Sequence, residues 1–490
     1  MQSMFLDETN IKNLKDVQKK FNFKDDLYDL KELNTLSTHY ESLNSVSNEF
    51  LSSPKTLTED NFSFINDFEN SPCEKNDKLI EKTKYENNNN DESTKLAKNN
   101  FITNNNVNLP EQVINKVSGE KKNEKYYDNV IINEQPINEI LENTKEIKQT
   151  IKNGDLNKIM NDIYFLCFHK NGCEYIIKKL KENDTAEKQI ILNSLLIDPK
   201  SLCPDMYGSY VAQSVFDLKD EKYKERFTDE FLKHTSFLTL HTYGCRLIQK
   251  SLESLSNEYK CKIFKELEDD LITYICHQNG NHVVQKCVEV LPSKNIDTII
   301  NIIEEYLSFL SSHAYGCRIV QRIYEIGTPE QINRLNDKII KKIHLIKNRY
   351  GNYVIQKCFE YSDDNVRLLI TNEIVNDIYK LSSHKYACNI IEKILLKKEY
   401  KYKKKIIKRI VDDIPEGNDN IISICKDCYG NFMMQKLLTT CKRKERNLIV
   451  KTIIENLDKL KEETYGNNKK GKRIYLQCIY FLCYNYPLFF

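Results

Sequence analysis

The stretch His277–Leu291, HQNGNHVVQKCVEVL, decides the fold, because variants of it return through the C-terminal two-thirds of the chain. Along the sequence they read HKNGCEYIIKK from His169, DMYGSYVAQSV from Asp205, HTYGCRLIQKS from His241 and HAYGCRIVQRI from His313. Then follow NRYGNYVIQKC from Asn348, HKYACNIIEKI from His384 and DCYGNFMMQKL from Asp427. Aligned on the residue after the Gly (after Ala387 in one copy), the copies sit at 173, 209, 245, 281, 317, 352, 388 and 431. The intervals are 36, 36, 36, 36, 35, 36 and 43 residues. A fixed period of this size is the mark of a solenoid array, here numbered units 1 to 8.

Within unit 4, Val284, Cys287, Val288 and Leu291 fall at i, i+3, i+4 and i+7, the stripe of a helix packed on one side. Ile263, Phe264, Leu267, Leu271 and Ile275 give a second stripe. One unit is therefore read as an outer helix, a Gly-containing turn and an inner helix, and stacking units buries a continuous core. Counted from the Gly, Asn281 and Gln285 hold positions 1 and 5, on one strip of the inner helix. His282, at position 2, is turned about 100° away toward the neighbouring unit. Two hydrogen-bonding groups and one flat side chain per unit are what reading one unpaired base requires.

Charge is distributed in the same sense. Residues 1–150 carry 19 Lys+Arg against 27 Asp+Glu, net −8, while residues 151–490 carry 54 against 44, net +10. A polyanion would bind the second part, although the excess is too mild for a general nucleic-acid glue. The 16 Cys recur at repeat positions (Cys245, Cys317 and Cys388 at one, Cys287 and Cys358 at another), which points to reduced core or surface thiols rather than a disulfide framework. The opening MQSMFLDETN lacks the basic start and apolar run of a secretory signal.

Residues 1–136, with YENNNNDEST and NNFITNNNVNLP, are acidic, Asn-rich and aperiodic, and are expected to be largely disordered. From Ile137 the pattern INEILENTKEIKQTIKNG reads as a helix capping the array, so the solenoid is expected over 137–490. The long last interval places an acidic insertion, DDIPEGNDN, at residues 412–420. Thr464 onward reads as a degenerate ninth unit whose apolar ending is a capping helix, too short and wet for a membrane anchor.

NGNHVVQKC, YGCRIVQR and YGNYVIQKC resemble the repeats of the Pumilio/PUF family of RNA-binding proteins, and the resemblance covers about residues 137–490. It implies an all-α, curved, right-handed helical-repeat solenoid, with one base read per repeat and the RNA antiparallel to the chain. Asn with Gln would read U, Cys or Ser with Gln would read A, and Ser with Glu would read G, with the position-2 residue stacking between bases. Carried over, unit 8 offers Asn431, Phe432 and Gln435 for U, with Phe in place of the usual Tyr. Unit 7 offers Cys388, Asn389 and Glu392 for G, where Cys for Ser leaves Glu392 to dominate. Unit 6 offers Asn352, Tyr353 and Gln356 for U, and unit 5 Cys317, Arg318 and Gln321 for A. Unit 4 offers Asn281, His282 and Gln285 for U, and unit 3 Cys245, Arg246 and Gln249 for A. Ser209, Tyr210 and Gln213 of unit 2 could accept U or A. Unit 1, with Cys173, Glu174 and Ile177, should read nothing. The implied site is 5′-UGUAUA followed by a loosely read base.

The chemistry agrees. A carboxylate only accepts, and guanine offers two adjacent donors, whereas a Gln amide both donates and accepts. Stacking contributes about 1–3 kcal/mol per base regardless of sequence. Lys250, Lys286, Arg322, Lys357, Lys393 and Lys436, each directly after the position-5 residue, read as flanking the RNA path. The recurring His169, His241, His277, His313 and His384 are held apart by the repeat, which suits a helix-start role better than metal or acid–base work. Cys425 and Cys428 form a CxxC without a second ligand pair, so neither metal nor cofactor is expected. No nucleophile or phosphate-loop constellation marks an enzyme.

By resemblance the protein is a cytoplasmic regulator of messenger RNAs. It would bind 3′ untranslated regions and repress translation or alter stability, with no DNA or membrane partner. A deadenylase complex and other co-regulators would dock on the convex face and the 412–420 loop. Two alternatives are a helical-repeat protein-interaction scaffold, favoured by an unpatterned face, and a ribosome-assembly Pumilio-like protein, favoured by lost reading triplets. Units 3–8 retain theirs.

Overall fold

The computed structural model describes residues 163–182, 185–415 and 419–465, together with Cys478, Phe481, Leu482 and Asn485. Every secondary-structure element among them is helical. The expectations for residues 1–136 and for the cap beginning at Ile137 lie outside the described residues.

Units 2–8 each hold three helices rather than the two read from the sequence. Unit 4 runs through an outer helix Asn257–Lys265, a short helix Leu271–Cys276 and the inner helix Gly280–Val290. The stripe Ile263, Phe264, Leu267, Leu271 and Ile275 is buried as expected, but it spans a bend. At the bend one residue leaves helical geometry: Asp270 has φ −133° and ψ 31°. The same departure recurs in register at His234, Tyr306, Lys342 and Asp377, with φ between −106° and −124° and ψ between 7° and 32°. L-residues of any type can enter this part of dihedral space, so no residue type marks it in the sequence. The bend lets the short helix turn under the inner one without breaking the apolar stripe.

The core lies between the helix layers. Val283, Val284, Cys287 and Val288 are all at most 1% exposed, and their counterparts in other units are likewise buried. Successive inner helices pack on one another, as do outer helices, which makes each unit's core continuous with the next. Each fully buried Val, Leu or Ile contributes about 1.5–3 kcal/mol, so an isolated unit would forfeit the contacts on both sides.

The Gly of the turn is required by close approach. A Cβ on Gly280 would lie 2.7 Å from the carbonyl oxygen and 2.9 Å from the Cα of Tyr274 in the short helix. Unit 7 carries Ala387 instead, and its methyl group is buried. Its short helix ends at Ser382 and its inner helix begins at Cys388, one residue later than in units 2–6 and 8, where the helix begins at the Gly.

The residue three before the Gly caps the inner helix. Nδ1 of His277 accepts the backbone N–H groups of Asn279 and Gly280, both at 3.2 Å. His241, His313 and His384 do the same in their units. Asp205, Asn348 and Asp427 substitute a side-chain oxygen at 2.7–2.9 Å. His, Asp and Asn are thus interchangeable as acceptors for orphan N–H groups. His169 makes no such bond.

Burial holds these imidazoles neutral: His241 and His384 are pushed below the ordinary His value, and His313 is pushed down to about 4. At the other end, Cys478 and Leu482, four residues apart, are buried, and the Cys478 thiol meets that of Cys425.

Candidate nucleic-acid interface

The inner helices set positions 1, 2 and 5 of every unit in parallel rows. Position 1 is buried throughout: Asn281 and Asn352 are 0% exposed, and Ser209, Cys245, Cys317, Cys388 and Asn431 are also buried. Both sequence-predicted edge readers of a unit lie on one strip, yet the Asn sits beneath the Gln. Asn281 Nδ2 donates to the carbonyls of His277 and Gln278, and Asn281 Oδ1 accepts from Gln285 Nε2 at 3.0 Å. Units 6 and 8 repeat the arrangement, Gln356 to Asn352 at 2.9 Å and Gln435 to Asn431 at 3.4 Å.

Gln285 also donates to the Asn281 backbone carbonyl at 3.4 Å. Where position 1 is Ser or Cys, the Gln has the backbone bond without a side-chain oxygen. Gln213, Gln249 and Gln321 donate to the carbonyls of Ser209, Cys245 and Cys317 at 3.0–3.1 Å. The position-1 residue therefore selects how the position-5 amide is held. The thiols there stay protonated, since burial pushes Cys245 up to about 11 and Cys317 and Cys388 up to about 12.

Unit 7 differs. Glu392 replaces Gln, and its Oε1 is buried with no hydrogen-bond partner. Burial raises its pKa, opposed by the positive field of Lys436 from unit 8. The Cys388 thiol is turned to the Lys385 carbonyl at 3.5 Å and to Asn389. An acceptor left partnerless inside a protein is costly unless a ligand supplies the donor.

Position 2 forms the second row. Tyr210, Arg246, His282, Arg318, Tyr353, Asn389 and Phe432 are all half-buried. His282 lies in the field of Arg246 and Arg318 from the flanking units, and burial together with those charges pushes it down to about 4. A neutral imidazole between two guanidinium planes gives three flat surfaces in consecutive units, suited to stacking. Asn389 also reaches across a unit boundary, donating to Asn352 Oδ1 at 3.4 Å. Unit 1 offers no polar edge: Ile177 is buried, and Cys173 is turned to the Tyr207 carbonyl.

The basic residues at position 6, read from the sequence as flanking the RNA path, are ion-paired in units 3–7. In those units each pairs with the acid at position 9 of the preceding unit: Lys250 with Asp217 at 2.5 Å, Lys286 with Glu253 at 2.7 Å, Lys357 with Glu325 at 2.7 Å and Lys393 with Glu360 at 2.5 Å. Arg322 with Glu289 completes the ladder, and Lys286 and Arg322 also pair with Glu289 and Glu325 of their own units. The signal was present as KSLE, KCVE, RIYE and KCFE in units 3–6, one acid three residues after each base. The ladder stops at unit 8, because Leu396 stands where units 2–6 carry an acid. The acids of the insertion are also engaged: Asp412 with Lys408, Asp413 with Arg409 and Tyr379, and Asp419 with Lys459. Residues 416–418 lie outside the described residues. Among the described residues no His/Cys/Asp/Glu group could hold a metal, and no helix is long and apolar enough to cross a membrane.

Comparison with known proteins places this geometry. The Pumilio-family RNA binding repeat model matches eight times, at residues 162–196, 201–232, 234–268, 272–304, 309–340, 343–375, 377–411 and 420–454, together more than half of the chain. Pumilio homology domain family member 4 of Saccharomyces cerevisiae is 31% identical over 153 residues, 30% of this chain and 17% of that protein. Pumilio homolog 12 of Arabidopsis thaliana is 27% identical over 138 residues, 28% of this chain and 22% of that protein. The match thus spans about a fifth of the length of these curated relatives. Among solved structures, PUF-8 in complex with PBE-RNA superposes with a TM-score of 0.63 at 25% identity, covering 69% of this chain and 98% of that one. The Puf3 RNA binding domain bound to a Cox17 RNA 3′ UTR recognition sequence gives 0.59 at 28% identity, covering 68% and 99%. Eight matched repeats, each on a short-helix and inner-helix pair, make this chain a member of the Pumilio family of RNA-binding repeat proteins, a binding protein and not an enzyme.

Proposed function

We propose that the protein reads 5′-UGUAUA-like elements in single-stranded messenger RNA, one base per unit, with unit 8 on the 5′ base and unit 3 on the last A. Unit 2 then reads U or A loosely, and the base opposite unit 1 goes unread, for want of any polar group at Ile177.

The observation that carries this reading is Glu392. It is the one carboxylate at position 5 in units 2–8, and its buried Oε1 has no partner. Guanine's N1–H and N2–H₂ are two adjacent donors that would satisfy it, and no other base presents that pair. Elsewhere the position-5 amide is already held by position 1, on a side-chain oxygen in the Asn units and on the backbone in the Ser and Cys units. Two hold states match two base classes, U and A.

The regulatory role follows from the same binding. A 3′ untranslated target, cytoplasmic action, and repression or destabilisation through a deadenylase complex and other co-regulators complete the proposal. It is supported by the related Puf3 domain, whose bound RNA is described as a 3′ UTR recognition sequence. Competition binding of UGUAUA RNA against the same RNA with G changed to A, at fixed salt, tests the core of it. The G-containing RNA should win by at least tenfold, in line with ~1–3 kcal/mol per good bidentate contact. Equal affinities would remove unit 7 from the reading.

A further inference from the structure

The path of the chain over one rim of the array changes character at its end. Each inner helix hands over to the next outer helix in a short turn, and earlier turns are acidic or neutral. Residues 360–369 hold Glu360, Asp363 and Asp364 against Arg367. Outer helices there begin with acceptors: Asp220 caps Tyr223 at 3.0 Å, and Asp363 caps Val366 at 2.9 Å. Residues 396–405, LKKEYKYKKK, instead hold six Lys against one Glu. The next turn, CKRKER at 441–446, holds four basic residues against one Glu.

These two turns touch. Tyr400 donates to Glu445 at 2.9 Å, and Lys442 Nζ lies 4.6 Å from the centroid of the Tyr400 ring. Lys398, Lys404, Lys405, Lys442, Arg443 and Lys444 are exposed, and none is ion-paired with an acid among the described residues. Cations gathered at the starts of helices Tyr400–Asp412 and Arg443–Glu455 work against the helix dipole, so the arrangement costs stability when unoccupied. The groove contributes at the same end. Lys436 is exposed and lacks the cross-unit acid that its counterparts have, because Leu396 interrupts the ladder. An unpaired basic track thus runs from the inner helix of unit 8 onto the rim.

We propose that this patch is a second, sequence-independent site for the phosphodiester backbone of RNA lying 5′ of the recognition element. The inference rests on the polarity in the preceding section, since it is unit 8 that takes the 5′ base and releases the upstream strand. Phosphates on this track would replace the acid partners that every earlier turn supplies from the protein itself.

The test uses the full chain and three RNAs: the UGUAUA core, the core with about ten uridines added 5′, and the core with the same number added 3′, a length within the range one single-strand site spans. The 5′ extension should tighten binding about tenfold and steepen the salt dependence by ~2, at roughly 0.7 per phosphate contacted, whereas the 3′ extension should do neither. A triple variant, Lys404→Glu, Lys405→Glu and Lys444→Glu, should lose that gain and keep core affinity within about twofold, with an unchanged helical spectrum. Equal gains from both extensions, or a gain that survives in the variant, would overturn the proposal. Polyglutamate competing as well as oligouridine would also overturn it, marking an acidic-peptide site instead. If the core RNA does not bind at all, the base reading fails. The patch is then judged by oligouridine alone, whose binding the triple variant must weaken.

Discussion

Gln356 donates to Asn352 Oδ1 at 2.9 Å, while Gln321, one unit earlier, donates to the backbone carbonyl of Cys317 at 3.0 Å. The same amide is therefore held in two ways, and the choice belongs to a buried neighbour that is itself 0–2% exposed. Asn352→Cys should release Gln356 to the backbone, as in unit 5, and move the preference at that base from U toward A. The expected change is about 1–3 kcal/mol in relative affinity, measured by competition between RNAs differing at that base. A variant that keeps its U preference would separate position 1 from base choice.

The imidazole caps make stability depend on pH. His241, His313 and His384 accept N–H groups through Nδ1, so protonation removes the cap, and their folded values are depressed. A depressed folded value means that the unfolded chain takes up the proton first. Stability is complete above the ordinary His value near 6.5 and falls as pH drops from there toward 4. At pH 5, His313 alone should cost on the order of 1–2 kcal/mol relative to pH 8. Denaturant unfolding across this window checks it, and His313→Asn, copying the Asn348 cap, should flatten the profile.

Gly280→Ala should destabilise the array by more than ~2 kcal/mol, because its Cβ meets main-chain atoms that cannot rotate away. Ala387→Gly should cost only about 1 kcal/mol or less, the helix-propensity difference, since unit 7 already accommodates a buried methyl group there. Urea midpoints of the two variants would show whether close approach or backbone freedom governs the turn.

Much of this was legible in the sequence. The period, the inner-helix stripe and the reading rows could all be placed because each residue type has one role at one spacing. The bend at Asp270 and its counterparts could not, because five different backbones adopt it with His, Asp, Tyr or Lys. The ion ladder was only half legible. Spacing puts Glu289 three residues after Lys286 and four after Gln285, one helical turn away, but does not show that it also reaches Arg322 of the next unit. The burial of Asn281 under Gln285 was likewise invisible, since spacing places two residues on one strip without saying which covers the other.

The ladder yields its own prediction. The triple variant Glu253→Gln, Glu289→Gln and Glu325→Gln removes every carboxylate paired with Lys286, Arg322 and Lys357 and frees all three cations. Affinity for unrelated oligouridine should rise and its salt dependence should steepen by about 0.7 per cation freed, while the UGUAUA preference keeps its rank order. Salt titrations of the variant and the parent would show it, and identical slopes would mean that the released cations cannot reach RNA.

The most direct measurement is a selection from randomised single-stranded RNA, run in parallel on the full chain and on the double variant Glu392→Gln, Cys388→Asn. The substitution copies the Asn–Gln pair of units 4, 6 and 8 into unit 7. The parent should return UGUAUA-type sequences, and the variant should return the same sequences with the second base changed from G to U and the others unaltered. A parent profile lacking G at that base, or a variant profile identical to the parent's, would contradict base reading by these side chains.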